Sequence, residues 1–191
     1  MGFLKKIFGN DGNNKKSNNK QKEDNLNMQD VDSILKHIHG DPIDFKRSSR
    51  DSMKIIDNLV AEYNQPLLAE FAIKERQKEH AGYVTSQITD EKLLIDIAKN
   101  AFSRDARTTA IRKIRENPDN EEDLIYIARH DSWYFNRRVA ISYINDKSAL
   151  NEMLNDSSIL NNLREPKYDR IEDYKKNFKE DVTKRLEKLE D

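Results

Sequence analysis

From residue 66 onward the apolar residues of this chain recur in steps of three and four, the spacing of one face of an α-helix. Leu124, Ile127 and Ala128 make one such face, and twelve residues after Ala128 stands Ala140, followed by Ile144. Leu94, Ile97 and Ala98, then Ala110 and Ile114, keep the same internal gaps. Leu68, Phe71 and Ala72, then Val84 and Ile88, make a third copy, and Leu150, Met153 and Leu154 open a fourth. First-helix anchors therefore fall at 68, 94, 124 and 150, at intervals of 26, 30 and 26. The longer interval is explained by four extra residues in the acidic stretch RENPDNEED, residues 115–123. A weaker copy precedes these, with Leu35 and Ile38 in a first helix and Ile55, Ile56 and Leu59 in a second.

A helix pair with one apolar face cannot bury that face alone, and stacking the next pair against it builds a continuous core. The pattern predicts an all-α fold: an α-solenoid of stacked antiparallel helix pairs over residues 28–165, clearest over 66–156. Ala72, Ala98, Ala110, Ala128 and Ala140 would let helices approach closely. Asn64, Thr89, Asp90, Ser103 and Asn120 stand where N-caps are wanted, and Pro66 and Pro166 suit first helical turns. From residue 166 onward Tyr168, Ile171, Tyr174, Phe178, Val182, Leu186 and Leu189 form a single stripe, with eight basic and eight acidic residues over 167–191. This is one amphipathic helix, residues 166–191, expected to cap the stack. Aromatics along the stripe and its shortness argue against a coiled coil.

Composition adjusts the picture in three ways. Only five glycines and four prolines are present, too few turns for an all-β fold. The absence of cysteine excludes disulfides, thiolate nucleophiles and Cys-ligated metal centres, and fits a reducing, cytoplasmic setting. The net charge of −1 gives no global field toward nucleic acid or membrane, but it is unevenly spread. Residues 1–22 hold six lysines and one acid, leaving about −6 on the remainder.

Residues 1–27 read as an amphipathic start and a disordered basic tether, because 10–27 have too little apolar area to offset their ordering entropy. Phe3, Leu4, Ile7 and Phe8 would share a helical face beside Lys5 and Lys6, a small hook for an anionic membrane surface or a partner groove. The alternative is a frayed start, since so short a helix is marginal in water. Gly2 suggests myristoylation, but Lys6 stands where that signal carries Ser or Thr. The apolar start is too short and too interrupted for a signal peptide, and no run is long enough to span a bilayer.

The segments LLIDIAKNAFSRDARTTAIRKI and LIYIARHDSWYFNRRVAISYI resemble short HEAT-like repeats, in which an Asp, an Arg and an Ala lead into the second helix. Asp131, Arg137 or Arg138, and Ala140 match; Asp105, Arg107 and Ala110 match more loosely. The stretch ENPDNEEDLIYIARHD is also similar to the leucine-rich-variant repeat, with its Asn-Pro before the next helix. Members of that second family can carry an iron–sulfur cluster, which this cysteine-free chain cannot ligate in the usual way. The resemblance implies a partner-binding concave face formed by second helices. HEAT-like relatives also include bilin lyases and alkylpurine DNA glycosylases, but their motif residues do not map onto this chain, and fold analogy alone does not carry activity.

The candidate chemistry is accordingly that of binding. Arg104, Arg107, Arg112, Lys113 and Arg115 form a basic run, and Arg129, Arg137 and Arg138 follow one repeat later. Equivalent positions of stacked repeats would align these into a stripe. Arg107, Arg112, Arg115, Trp133, Arg137 and Arg138 are the expected partner contacts, with Trp133 as the aromatic anchor. Against this stand two structural uses: Arg107 and Arg137 can pair with acids of neighbouring repeats, and one or two of Trp133, Tyr134 and Phe135 can plug the space between repeats. His37 and His39 lie two apart, on different helix faces, and suggest no metal pair; His130 beside Asp131 fits helix-end chemistry. No nucleophile elbow, phosphate loop or paired-carboxylate signature is visible.

The sequence thus predicts a non-catalytic, cofactor-free scaffold or adaptor for a protein partner. The alternative is a nucleic-acid binder, of a kind related to DNA repair, using the same arginines. The hook gives a first testable expectation. Full-length protein should bind anionic vesicles weakly in a sedimentation assay, and Phe3→Ala with Phe8→Ala should abolish that binding. Equal binding after deletion of residues 1–9 would dismiss the hook.

Overall fold

The computed structural model describes residues 30–39, 49–62, 64–161, 163 and 171–190. The hook residues Phe3, Leu4, Ile7 and Phe8 and the tether lie outside the described residues, as do residues 164–170. Among the described residues the elements are ten α-helices and one 3-10 turn, with no strand. In order, these are α1 (Val31–His39), α2 (Ser49–Ala61), α3 (Gln65–Lys74), α4 (Lys78–Gln87), α5 (Glu91–Asn100) and α6 (Arg104–Ile114). The 3-10 turn Pro118–Asn120 follows, then α7 (Glu121–His130), α8 (Tyr134–Ile141), α9 (Lys147–Asn155) and α10 (Ile171–Lys188).

Each predicted first-helix anchor lies on a helix and is buried: Leu68 on α3, Leu94 on α5, Leu124 on α7 and Leu150 on α9. The five alanines are buried as well. Consecutive helices pack as pairs, α1 on α2, α3 on α4, α5 on α6, α7 on α8 and α9 on α10. Across pairs, α1, α3, α5 and α7 touch in succession, and so do α2, α4, α6, α8 and α10. The apolar interior joins all five pairs into one cluster. α10 takes the second-helix place beside α9 and packs on α8, burying Phe178 and Val182, while Tyr174, Leu186 and Leu189 are half-buried.

Helix starts follow from capping. Asn64 accepts a hydrogen bond from the Leu67 amide at 3.2 Å, and Asp90 from Leu93 at 3.1 Å. Asp146 takes two amides, Ser148 at 2.8 Å and Ala149 at 3.1 Å, which satisfies donors the first turn leaves open. Ser103 and Asn120 occupy cap positions without a side-chain cap bond. Asn120 is used differently: its Nδ2 donates to the Ile114 carbonyl and to Glu91, at 3.0 and 2.8 Å.

The pairs are tied by a second set of polar bonds. Gln65, Glu91 and Glu121 open α3, α5 and α7 at equivalent positions, three residues before each anchor. Gln65 Oε1 accepts the Thr89 and Asp90 amides at 2.7 and 3.3 Å. Glu91 accepts Asn117 and Asn120, both at 2.8 Å, and so holds the four-residue insertion. Glu121 accepts the Asn145 amide and that of Asp146, the latter at 2.9 Å. In each case an acceptor at one first helix binds the loop that leads into the next, which fixes the register between neighbours.

Gly82 sits inside α4, where it faces α6: a Cβ placed there would lie 3.7 Å from the Asp105 Cβ, an ordinary contact. Gly costs a helix interior about 1 kcal/mol relative to Ala. Gly82→Ala should therefore stabilise the chain by about 0.5–1 kcal/mol, read as a raised urea midpoint at unchanged slope. A loss of stability would show that α4 and α6 approach more closely than described.

Candidate functional site

Each of the three clear pairs turns through three residues: 75–77 between α3 and α4, 101–103 between α5 and α6, and 131–133 between α7 and α8. The first of these residues faces inward and is buried, as Glu75, Ala101 and Asp131. Asp131 is the most connected. Its carboxylate accepts the Trp133 amide at 2.7 Å and Asn136 Nδ2 at 3.0 Å. It also receives the Arg107 guanidinium from the preceding pair through Nε at 2.8 Å and Nη2 at 3.3 Å. Arg107 Nη1 donates to the Ala101 and Phe102 carbonyls, at 2.7 and 3.2 Å.

Arg137 repeats the geometry one pair later. Its Nε donates to the Asp131 carbonyl, six residues back, the same spacing at which Arg107 Nη1 meets the Ala101 carbonyl, and its Nη1 reaches forward to the Ile159 carbonyl. Arg137 is fully buried. Desolvation pushes its pKa down to about 10, against the pull of Asp131, so the guanidinium stays charged at neutral pH. At Glu75 the partners are histidines: His39 Nε2 from α1 at 3.0 Å and His80 Nδ1 at 3.8 Å, with the Gln77 amide at 2.7 Å. Among the described residues no set of three ligating side chains is arranged for a metal ion.

These contacts correct the expected contact surface. Arg107 and Arg137 are buried and their donors are spent inside the protein, so neither offers a guanidinium to a partner. Arg112 is exposed. Arg115 is half-buried, 4.6 Å over the Tyr143 ring and 3.5 Å from Glu116. Arg138 is exposed, 3.3 Å from Asp181. With a repeat interval of 30, Arg112, Arg115 and Arg138 correspond to Ser142, Asn145 and Thr108, so the exposed arginines do not align into a stripe. Only the buried pair aligns.

The aromatic run divides by depth. Tyr134 is buried, bonded to Asp181 at 2.5 Å and tilted against Tyr174 at 5.1 Å; burial and that carboxylate raise its pKa. Trp133 is half-buried beneath Arg104, which lies 4.6 Å from its ring centroid. Phe135 is half exposed. Trp133 is thus a seam residue with one face covered, and Phe135 is the ring that solvent reaches.

A groove of about 470 Å³ runs along the turns, where α3, α5 and α7 end. Its walls carry two large exposed rings, Phe102 at 55% and Tyr126 at 49% exposure. Basic side chains border them. Arg76 lies 4.7 Å over Phe102 and Lys99 5.0 Å over Tyr126, while Lys74 reaches Asp32 at 3.0 Å and Glu70 at 2.8 Å. The His130 ring lies tilted against Tyr126, at 4.7 Å between ring centroids. The sequence reading missed Phe102 and Tyr126, yet a signal was present. Tyr126 stands where the other copies have Glu70, Asp96 and Glu152, and Phe102 stands where they have Arg76 and Ser132. An aromatic in a column otherwise polar is displaced from the core.

No protein-family model, curated protein or solved structure matches this chain. No described helix is long and apolar enough to cross a membrane.

The buried clamp makes a sharp thermodynamic prediction. Removing one partner of a buried, hydrogen-bonded ion pair costs about 3–5 kcal/mol, because the other charge is left uncompensated. Arg107→Ala and Asp131→Ala should each lose that much in urea unfolding. Arg112→Ala, at an exposed position, should stay within about 0.5 kcal/mol. Equal small effects at all three positions would show that the pair contributes nothing to the fold.

Proposed function

We propose that this chain is a short α-solenoid of HEAT-like helix pairs that works as a non-catalytic protein-binding module, with its contact groove at the hairpin turns. The succession of touching first helices and touching second helices supports the solenoid reading. The observation that carries the binding function is the pair of exposed rings, Phe102 and Tyr126, facing one groove with cations stacked on them. Large rings left in water beside a cleft are the usual anchors of a protein contact. The groove is built on turns clamped from both sides, so little ordering would be needed on binding.

The nucleic-acid alternative has weaker support. Its proposed carriers included Arg107 and Arg137, both buried, and the remaining arginines occupy unrelated repeat positions. A phosphate-tracking surface needs its cations in line and exposed.

A random-peptide display library panned against the full chain tests the module. Enriched peptides, synthesised and titrated, should lose most of their affinity for Phe102→Ser and Tyr126→Ser and keep it for Arg112→Ala. Peptides that bind all three variants equally would place the contact elsewhere. Oligonucleotides titrated in parallel should fail to bind at physiological salt. Tight binding that falls steeply with salt would favour nucleic acid instead.

A further inference from the structure

The charge around the turn groove runs against that of the chain. Residues 23–191 carry about −6, yet the groove is lined by Lys74, Arg76, Lys99 and Arg107 against one carboxylate, Asp131. Three of those cations have local tasks. Arg107 is held by Asp131, Lys99 by Asp123, and Lys74 by Asp32 and Glu70. Lys74 and Lys99 also stand in the last turns of α3 and α5, where a cation offsets the partial negative charge of the helix end. Arg76 is different. It is exposed and lies over Phe102, and among the described residues no carboxylate pairs with it.

We propose that the groove binds an acidic peptide segment, one in which a Glu or Asp carboxylate follows or precedes a bulky apolar side chain. This rests on the peptide-binding reading above and names the partner's chemistry. Arg76 forks the carboxylate, since a guanidinium held over a ring keeps its in-plane N–H groups for two parallel hydrogen bonds. Phe102 and Tyr126 cover the apolar side chain. Lys99, 5.0 Å from the Tyr126 ring, adds positive potential at the far end of the same wall. A basic peptide is excluded by the same cations, because like charges set face to face cost affinity and slow encounter.

The test uses the full chain and three short fluorescent peptides with identical apolar residues, carrying Glu, Gln or Lys at the remaining positions. Fluorescence anisotropy should give the Glu peptide about tenfold tighter binding than the Gln peptide, whose neutral amide oxygen still accepts from Arg76 but lacks the charge and the second bond. The Lys peptide should not bind. Arg76→Gln should bring the Glu peptide to the level of the Gln peptide, and Arg112→Gln should leave it unchanged. Both positions are exposed, and circular dichroism checks that both variants fold. Equal affinity for the Glu and Gln peptides, or indifference to Arg76→Gln, overturns the acidic preference. If Phe102→Ser then still weakens both peptides, the groove remains the contact site and only the partner's chemistry is wrong. Phe102→Ser without effect on a bound peptide, or no binding of any of the three, removes the groove itself.

Discussion

The Asp131 carboxylate is the constraint around which the rest of the structure is arranged. A three-residue turn forces its first residue inward, and at this turn that residue carries a charge. A charge removed from water must be paired and hydrogen-bonded. The partners come from its own turn, from Asn136 on the following helix and from Arg107 of the preceding pair. One turn therefore closes only when its neighbour is already in register. Glu75 imposes the same condition between the first two pairs, with His39 as the arriving partner. Ala101 carries no charge, and there a backbone bond joins the neighbouring turns, the Phe102 amide donating to the Ile73 carbonyl at 2.9 Å. Three turns of one length thus meet one geometric demand with three chemistries.

This use of polar groups changes what the chain's abundant charge means. Arg76, Lys99, Arg104 and Arg115 each lie over a ring of the next pair, at 4.6 to 5.0 Å. Lys99 and Arg129 reach forward to Asp123 and Glu152. These basic residues stitch neighbouring pairs together. Apolar burial drives the pairs together but is indifferent to sliding by a turn. Directional bonds from Gln65, Glu91 and Glu121, repeated at one position, remove that freedom.

The helices were legible in the sequence because burial follows periodicity directly. Leu68, Leu94, Leu124 and Leu150 could be aligned by spacing alone, and the stripe through Phe178 and Val182 could be read as one face. The direction of a long polar side chain could not. Arg107 and Arg112 sit five residues apart on the same helix, and nothing in their identity tells which is spent inside. The answer lay in Asp131, twenty-four residues further on. Asp131 and Arg137 are both in the clamp, and Asp105 is not. It lies within α6, half-buried beside Arg104 at 3.2 Å, at a position equivalent to Phe135 rather than to Asp131.

The clamp also explains where the exposed rings are found. If the first residue of a turn must face inward, the second must face out, whatever its chemistry. In the three turns that second residue is Arg76, Phe102 and Ser132. Phe102 cannot retreat into the core without undoing the Arg107 bonds to the Ala101 and Phe102 carbonyls that close the turn. Its exposure is thus enforced by the Arg107 side chain bonding the turn's carbonyls, and Arg76 of the neighbouring turn is set over it by the same register. A ring and a cation fixed in this way lose little freedom when a ligand arrives, which is the condition under which a small groove can bind selectively. What holds the pairs together and what makes the groove available are consequences of one turn geometry.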